Sequence, residues 1–345
     1  MGDYMQNEKQ RLLGALGGEP VDRPPCICPG GMMNMITRDL MEYCGAYLPE
    51  AHSNPDMMAQ LASAVYDSGC FENYGMPFCM TVEAEAMGAR VNMGTDVYEP
   101  HISEYVIESS EQWEKLTPID LSSGRAETVI SAIKLLKSRG GGVPIIGNIT
   151  GPISLASSLM EPVVFYKELR KKNESAHRFI RFVTEELIKF ANAQLEAGAD
   201  VIAISDPSGT GEILGAKLFE EFAVTYLNLL LDGISQCRPA TIVHICGHMH
   251  NVYPQINMVR AGALSFDSVV SMKDARENLN GRVLMGNVST YALEFGDGAK
   301  IAELTKACRN NGADIISPAC GLGMKSPLVN VKAILSAVKE GRANA

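Results

Sequence analysis

Eight times along this chain a short, apolar, mostly β-branched run breaks at small or polar residues and gives way to a stretch of helical length. The runs are PPCICPG from Pro24, SGCFENYG from Ser68, VPIIGNITG from Val143, ADVIAISDPSG from Ala199, ATIVHICG from Ala240, GALSFDS from Gly262, RVLMGNVS from Arg282 and ADIISPACG from Ala313. Three of them follow a segment that closes on Gly-Ala: LEAGAD before Val201, RAGA before Leu264 and NNGAD before Ile315. A glycine there stops a helix, and the chain turns into a strand that is apolar on both faces. Such alternation predicts a parallel sheet, and eight strands favour closure into a (β/α)8 barrel over an open sheet. Helices are expected over 173–198, 215–234, 299–311 and 328–341. The segment 81–107 breaks the alternation; with turns at Gly88 and Gly94 it reads as a strand-rich insertion. One domain spanning residues 1–345 is expected.

Charge narrows the partners. Lys plus Arg number 30 and Asp plus Glu 40, a net charge of −10. That balance does not suit binding to nucleic acid or to an anionic membrane surface. No apolar run reaches the roughly 18 residues of a membrane span. The start, MGDYMQNEKQRLL, lacks the basic-then-apolar order of a secretory signal. Nine cysteines with no regular spacing read as reduced thiols, so a cytoplasmic protein is expected.

In barrels of this class chemistry sits at the C-terminal ends of the strands. Those ends read Cys28, Tyr74, Asn148, Asp206, His244 with Cys246, Asp267, Asn287 and Cys320. His244 and Cys246 are two apart, so on a strand both face the same way. Cys320, at the eighth end, comes round to a near neighbour of the fifth. An imidazole and two thiolates suit Zn²⁺, and three protein ligands with an open fourth position are its catalytic arrangement. From spacing alone, two buried thiols and a satisfied core histidine are an equal alternative. His248 and His250 fall beyond the strand and read as outer or surface groups.

Asn148, Asp206, Asp267 and Asn287 are the candidate substrate-binding residues. Asp206 either presents the glycine-rich turn after it to an anion or caps the next segment. Asp267 is a fourth, exchangeable ligand, an orienting partner for His244, or a turn cap. Methionines crowd the predicted mouth, as in GGMMNM from Gly30 and GLGMKSP from Gly321. An adaptable rim of this kind suits a large apolar ligand or a protein partner, although core packing accounts for most of the eighteen.

Taken together, RLLGALGGEPVDRPP, PFCMTVEAEAMGARVNMGT, IGNITGPISLAS, ISDPSGTGEILG, TIVHICG and ISPACGLG carry a resemblance over nearly the whole chain. In this order they resemble the cobalamin-dependent methyltransferase branch of the uroporphyrinogen decarboxylase-like barrels, the MtaA/CmuA (methylcobamide:coenzyme M methyltransferase) group. The resemblance implies one zinc on His244, Cys246 and Cys320. It also implies methyl transfer from a corrinoid, brought by a partner protein, to a thiol such as coenzyme M. The arginine-rich motif of the parent decarboxylases has no counterpart in CICPGGMMNM, after which no arginine comes until Arg38, so porphyrinogen decarboxylation is not expected. For a sulfonate, Lys325 and the backbone of 209–211 are the candidates. Transfer in the reverse direction, from a small methyl donor to the corrinoid, is the alternative within enzymes. A zinc-binding scaffold for the corrinoid protein is the alternative outside them.

Overall fold

The computed structural model describes residues 6–234 and 240–340. Nine strands occur among them: β1 Tyr74–Met76, β2 Arg90–Asn92, β3 His101–Glu104, β4 Ile145–Thr150, β5 Val201–Ser205, β6 Thr241–Ile245, β7 Ala263–Phe266, β8 Val283–Val288 and β9 Ile315–Pro318. Seven form one parallel sheet in the order β1-β4-β5-β6-β7-β8-β9, each neighbour reached through helical segments. β4 to β7 and β9 are buried along their whole length, as expected of strands covered on both faces.

The eighth position of the barrel is filled without a regular strand. Residues 25–27 make one parallel bridge to β9, Cys26 opposite Ile316. The Ile27 amide donates to the Ile316 carbonyl at 3.0 Å, and the Ile316 amide to the Pro25 carbonyl at 2.9 Å. On the other flank the Glu72 amide donates to the Cys26 carbonyl at 2.8 Å. There the Asn73 side chain stands in for a missing peptide: it accepts from the Cys28 amide at 3.0 Å and donates to the Cys28 carbonyl at 2.8 Å. Pro24, Pro25 and Pro29 bracket the run and cannot donate, which limits it to this broken pairing. Gly75 is required beside it, since a Cβ there would sit 2.0 Å from the Pro29 carbonyl oxygen.

This seam corrects the reading of the second run. SGCFENYG is not a strand up to Tyr74; β1 begins at Tyr74, so Tyr74 stands at a strand start. Glu72 instead lies buried between two arginines. It accepts from both Arg23 nitrogens, one of them at 2.7 Å, from Arg11 at 3.5 Å, and from the Cys26 amide at 3.0 Å.

Of the expected helices, Asn173–Ala197 ends at Gly198 with φ +119°, where a Cβ would meet the Lys137 side chain at 2.7 Å. Gly298–Asn310 and Leu328–Glu340 also form. The expected helix over 215–234 is broken. Gly215 takes φ +69°, the chain widens into a π-helical stretch at Phe219–Val224, and a regular helix resumes at Thr225–Gly233. The insertion over 81–107 is only partly strand: it opens as a helix, Val82–Ala86, and then forms the antiparallel pair β2–β3. No helix among the described residues is long and apolar enough to cross a membrane.

Candidate metal centre

β6 and β7 pair in parallel with His244 opposite Ser265. His244 is the penultimate residue of β6 and only 2% exposed; Cys246 follows just past the strand end on the same side. Cys320 stands two residues beyond the end of β9. Nε2 of His244 lies 3.3 Å from the Cys246 Sγ, and the two sulfurs are 4.0 Å apart. One donor atom from each of the three residues falls within 4.8 Å of the others. A tetrahedral ion with sulfur ligands near 2.3 Å and nitrogen near 2.0 Å sets ligand–ligand edges at roughly 3.5–3.8 Å. The three side chains therefore fit a single borderline-soft ion, with a fourth corner left to a ligand from outside the protein.

The imidazole is oriented for this. Its Nδ1 is 3.0 Å from the Ser265 Oγ, which leaves Nε2 facing the sulfurs. The sulfurs also differ in proton affinity. Cys320 is pulled below the ordinary thiol range, first by the hydrogen bond from Cys246 and also by His244. Cys246 is pushed up by giving that bond and by burial. One thiolate is thus formed readily, and a cation between the sulfurs favours the second. Over the triad lies the loop that follows the seam: the Met32 Sδ is 3.9 Å from the Cys246 Sγ, and the Met33 Sδ is 4.0 Å from the Ser265 Oγ.

The other sequence candidates lie outside this cluster, with most of their polar atoms held within the protein. The Asn148 amide donates to the Pro29 carbonyl at 2.6 Å and the Met76 carbonyl at 3.1 Å, while its Oδ1 is buried without a partner. Asp206 caps a helix, but one before it in the chain and not the expected segment after it. From the end of β5 it accepts from the Ser154 amide and hydroxyl, both at 2.7 Å, and so holds the start of helix Pro152–Leu159. Burial pushes its carboxyl up to about 6. In the turn after it, Thr210 caps helix Gly211–Leu218 by accepting from the Ile213 amide at 3.2 Å. Asp267 is a turn residue, accepting from the Val269 amide at 3.1 Å, and the partner expected of it for His244 is Ser265 instead. Asn287 donates to the Asp267 and Val270 carbonyls at 2.9 and 2.8 Å and steadies that turn. His248, His250 and Lys325 are exposed.

Ser265 escaped the sequence reading because a lone serine inside an apolar run carries no metal-site signature. Knowing that β6 and β7 run in register with His244 beside position 265 would have found it.

Comparison with known proteins agrees with this architecture. The family model described as uroporphyrinogen decarboxylase (URO-D) matches residues 7–341. The chain is 32% identical over 333 residues to "Methylcobamide:CoM methyltransferase MtbA" of Methanosarcina acetivorans, covering 96% of this chain and 97% of that protein. It is 34% identical over 337 residues to "Methylcobamide:CoM methyltransferase MtaA" of Methanosarcina barkeri, with the same coverage. Among solved structures, a methyltransferase from Methanosarcina mazei superposes with a TM-score of 0.90 at 34% identity, covering 97% of this chain and 99% of that one. A parallel barrel with a thiolate–imidazole triad at its mouth, matched end to end by these proteins, belongs to the uroporphyrinogen decarboxylase family and, within it, to the methyltransferase branch that includes MtaA and MtbA.

Proposed function

We propose that the protein transfers a methyl group from a methylated corrinoid, carried on a partner protein, to a thiol, at a zinc ion held by His244, Cys246 and Cys320. The observation that carries this reading is the triad itself: three converging donors of the right kind, at the barrel mouth, with a fourth corner free. A scaffold needs no open corner. The relatives' names supply the donor and acceptor classes, a methylcobamide and CoM.

Zinc, when bound, supplies the positive charge that favours a thiolate over a thiol at neutral pH. The chain does the rest. Ser265 fixes the imidazole, the two cysteines keep the centre electron-rich, and Met32 and Met33 wall it with apolar, polarisable groups. In the transfer the thiolate sulfur forms the new S–C bond with its own electron pair. The C–Co bond breaks with its pair staying on cobalt, which falls from cobalt(III) to cobalt(I). An electron-rich donor set favours this nucleophilic direction over polarisation of a leaving oxygen.

The test is methyl transfer from free methylcobalamin to a panel of thiols that includes coenzyme M, followed by the cobalamin spectrum and by detection of the thioether. Turnover that depends on the thiol is expected. Turnover only with methoxylated, halogenated or aminated methyl donors and cobalt(I) would replace this reading with the reverse reaction.

A further inference from the structure

The methionine-rich segment 30–35 reads from sequence as an adaptable rim, yet in the structure it is held along its length. At its start the Gly31 amide donates to the Pro77 carbonyl at 2.7 Å, just past β1. Gly31 also leaves no room there, since a Cβ on it would come within 3.0 Å of the Asn148 side chain. Gly30 and Met33 bridge across the turn, and the Met33 carbonyl accepts from the Cys28 thiol at 3.2 Å. At its end the Asn34 carbonyl accepts from the Leu322 amide at 2.8 Å, just past Cys320. The segment thus crosses the barrel mouth from the β1 side to the β9 side, fixed at both.

Met32, at the tip of this turn, touches both sulfur-bearing arms of the metal centre. Its Sδ is 3.9 Å from the Cys246 Sγ. Its carbonyl oxygen packs on Gly321, the neighbour of Cys320, so closely that a Cβ there would approach to 2.5 Å. Met33 is buried and turned toward Ser265, whereas Met32 is half-buried and keeps one flank to the mouth. A thiol that takes the fourth corner of a tetrahedral ion puts its sulfur about 3.8 Å from the Cys246 sulfur. The Met32 thioether already stands at that separation. The two sulfurs would share one neighbour, and the carbon next to the incoming sulfur has Met32 for a wall.

Resting on the proposed methyl transfer to a thiol, we infer that Met32 is a specificity-determining residue, whose side chain confines the acceptor to thiols unbranched at the carbon next to sulfur. The attacking sulfur has three directions to fill. One is its contact with the metal, one is the electron pair aimed at the arriving methyl group, and one is left for its own chain. A CH₂ next to sulfur turns only hydrogens toward the walls. A second carbon on that atom must turn toward Met32 or toward the corrinoid, and either contact pushes the sulfur off the line of attack. The Met32 side chain can change rotamer, but its backbone is pinned between Pro77 and Leu322, so the wall turns without withdrawing.

The experiment measures methylcobalamin-to-thiol transfer with ethanethiol and isopropanethiol for wild type, Met32→Ala and Met32→Leu. It also follows both thiols binding to the Co²⁺-substituted proteins through the sulfur-to-cobalt charge-transfer band. The intrinsic effect of the branch is common to all three proteins, so the preference between thiols, compared from protein to protein, isolates the wall. In Met32→Ala the preference for ethanethiol should fall about tenfold, both in kcat/KM and in affinity from the cobalt band, with one metal per chain retained. Met32→Leu restores the bulk without the sulfur and should keep the wild-type preference. A site that is merely loosened loses rate with both thiols alike. An unchanged preference in Met32→Ala therefore overturns the role given to Met32, and so does an equal fall in Met32→Leu. No thiol-dependent turnover and no cobalt band in wild type overturns the transfer reading itself, and this inference with it.

Discussion

The Ser265 Oγ lies 3.0 Å from the Nδ1 of His244, directly across a parallel strand pair. A hydroxyl at that position selects which imidazole nitrogen is presented to the sulfurs. Ser265→Ala should weaken metal binding on the order of ten- to a hundredfold without loss of the barrel, as measured by competition with a chromophoric chelator. An unchanged affinity would show that the tautomer is set by something other than this contact.

Cys246→Ala and Cys320→Ala should each remove most of the bound metal and the transfer activity. Both residues are half-buried at the mouth and not in the core, so the variants should stay folded. Metal analysis and circular dichroism check the two statements separately. Stoichiometric metal in both variants would rule out the triad.

Asp206 should give the stability curve a recognisable slope. Burial raises its carboxyl from 3.8 to about 6, so the unfolded chain loses this proton first as pH rises. Between those values the folded state holds more protons than the unfolded state, and the contribution to stability falls with rising pH, then levels off above about 6. Asp206→Asn keeps an oxygen to accept from Ser154 and removes the titration. The stability difference between wild type and variant should shift in favour of the variant by up to roughly 3 kcal/mol from pH 4 to pH 7. Denaturant titrations at the two pH values measure it, and parallel curves would refute the assignment.

Glu72→Gln should cost about 3–5 kcal/mol, because it leaves the buried Arg23 without its carboxylate, whereas Arg11 keeps its pair with Asp22 at 2.6 Å. The loss would appear as a lower denaturation midpoint. Metal content of the folded fraction should not change.

What could be read from residue order was what period and chemistry encode. The apolar runs and glycine stops gave the parallel sheet, and the His-x-Cys pair with Cys320 picked out three side chains that the fold brings together, although spacing alone left buried thiols and a core histidine as an equal alternative. The roles of Glu72, Asp206 and Asn287 were hidden for a common reason, since each depends on which segments meet across the barrel. Glu72 looks out of place in an apolar run until Arg23 and Arg11 are beside it. Asp206 and Asn287 look like substrate-binding groups at strand ends, and the structure gives both to neighbouring backbone. The break at Gly215 was missed because apolar periodicity continues through it, whereas a single positive φ decides the path.

The broken pairing at residues 25–28 has a mechanical meaning. All three metal donors hang from β6 and β9, which belong to one uninterrupted hoop of hydrogen bonds. The clasp that completes the ring is a single bridge and an asparagine side chain. The donors are thus carried by the continuous part of the wall. The methionine loop over them is carried by its weakest join and by the Leu322 amide just past Cys320.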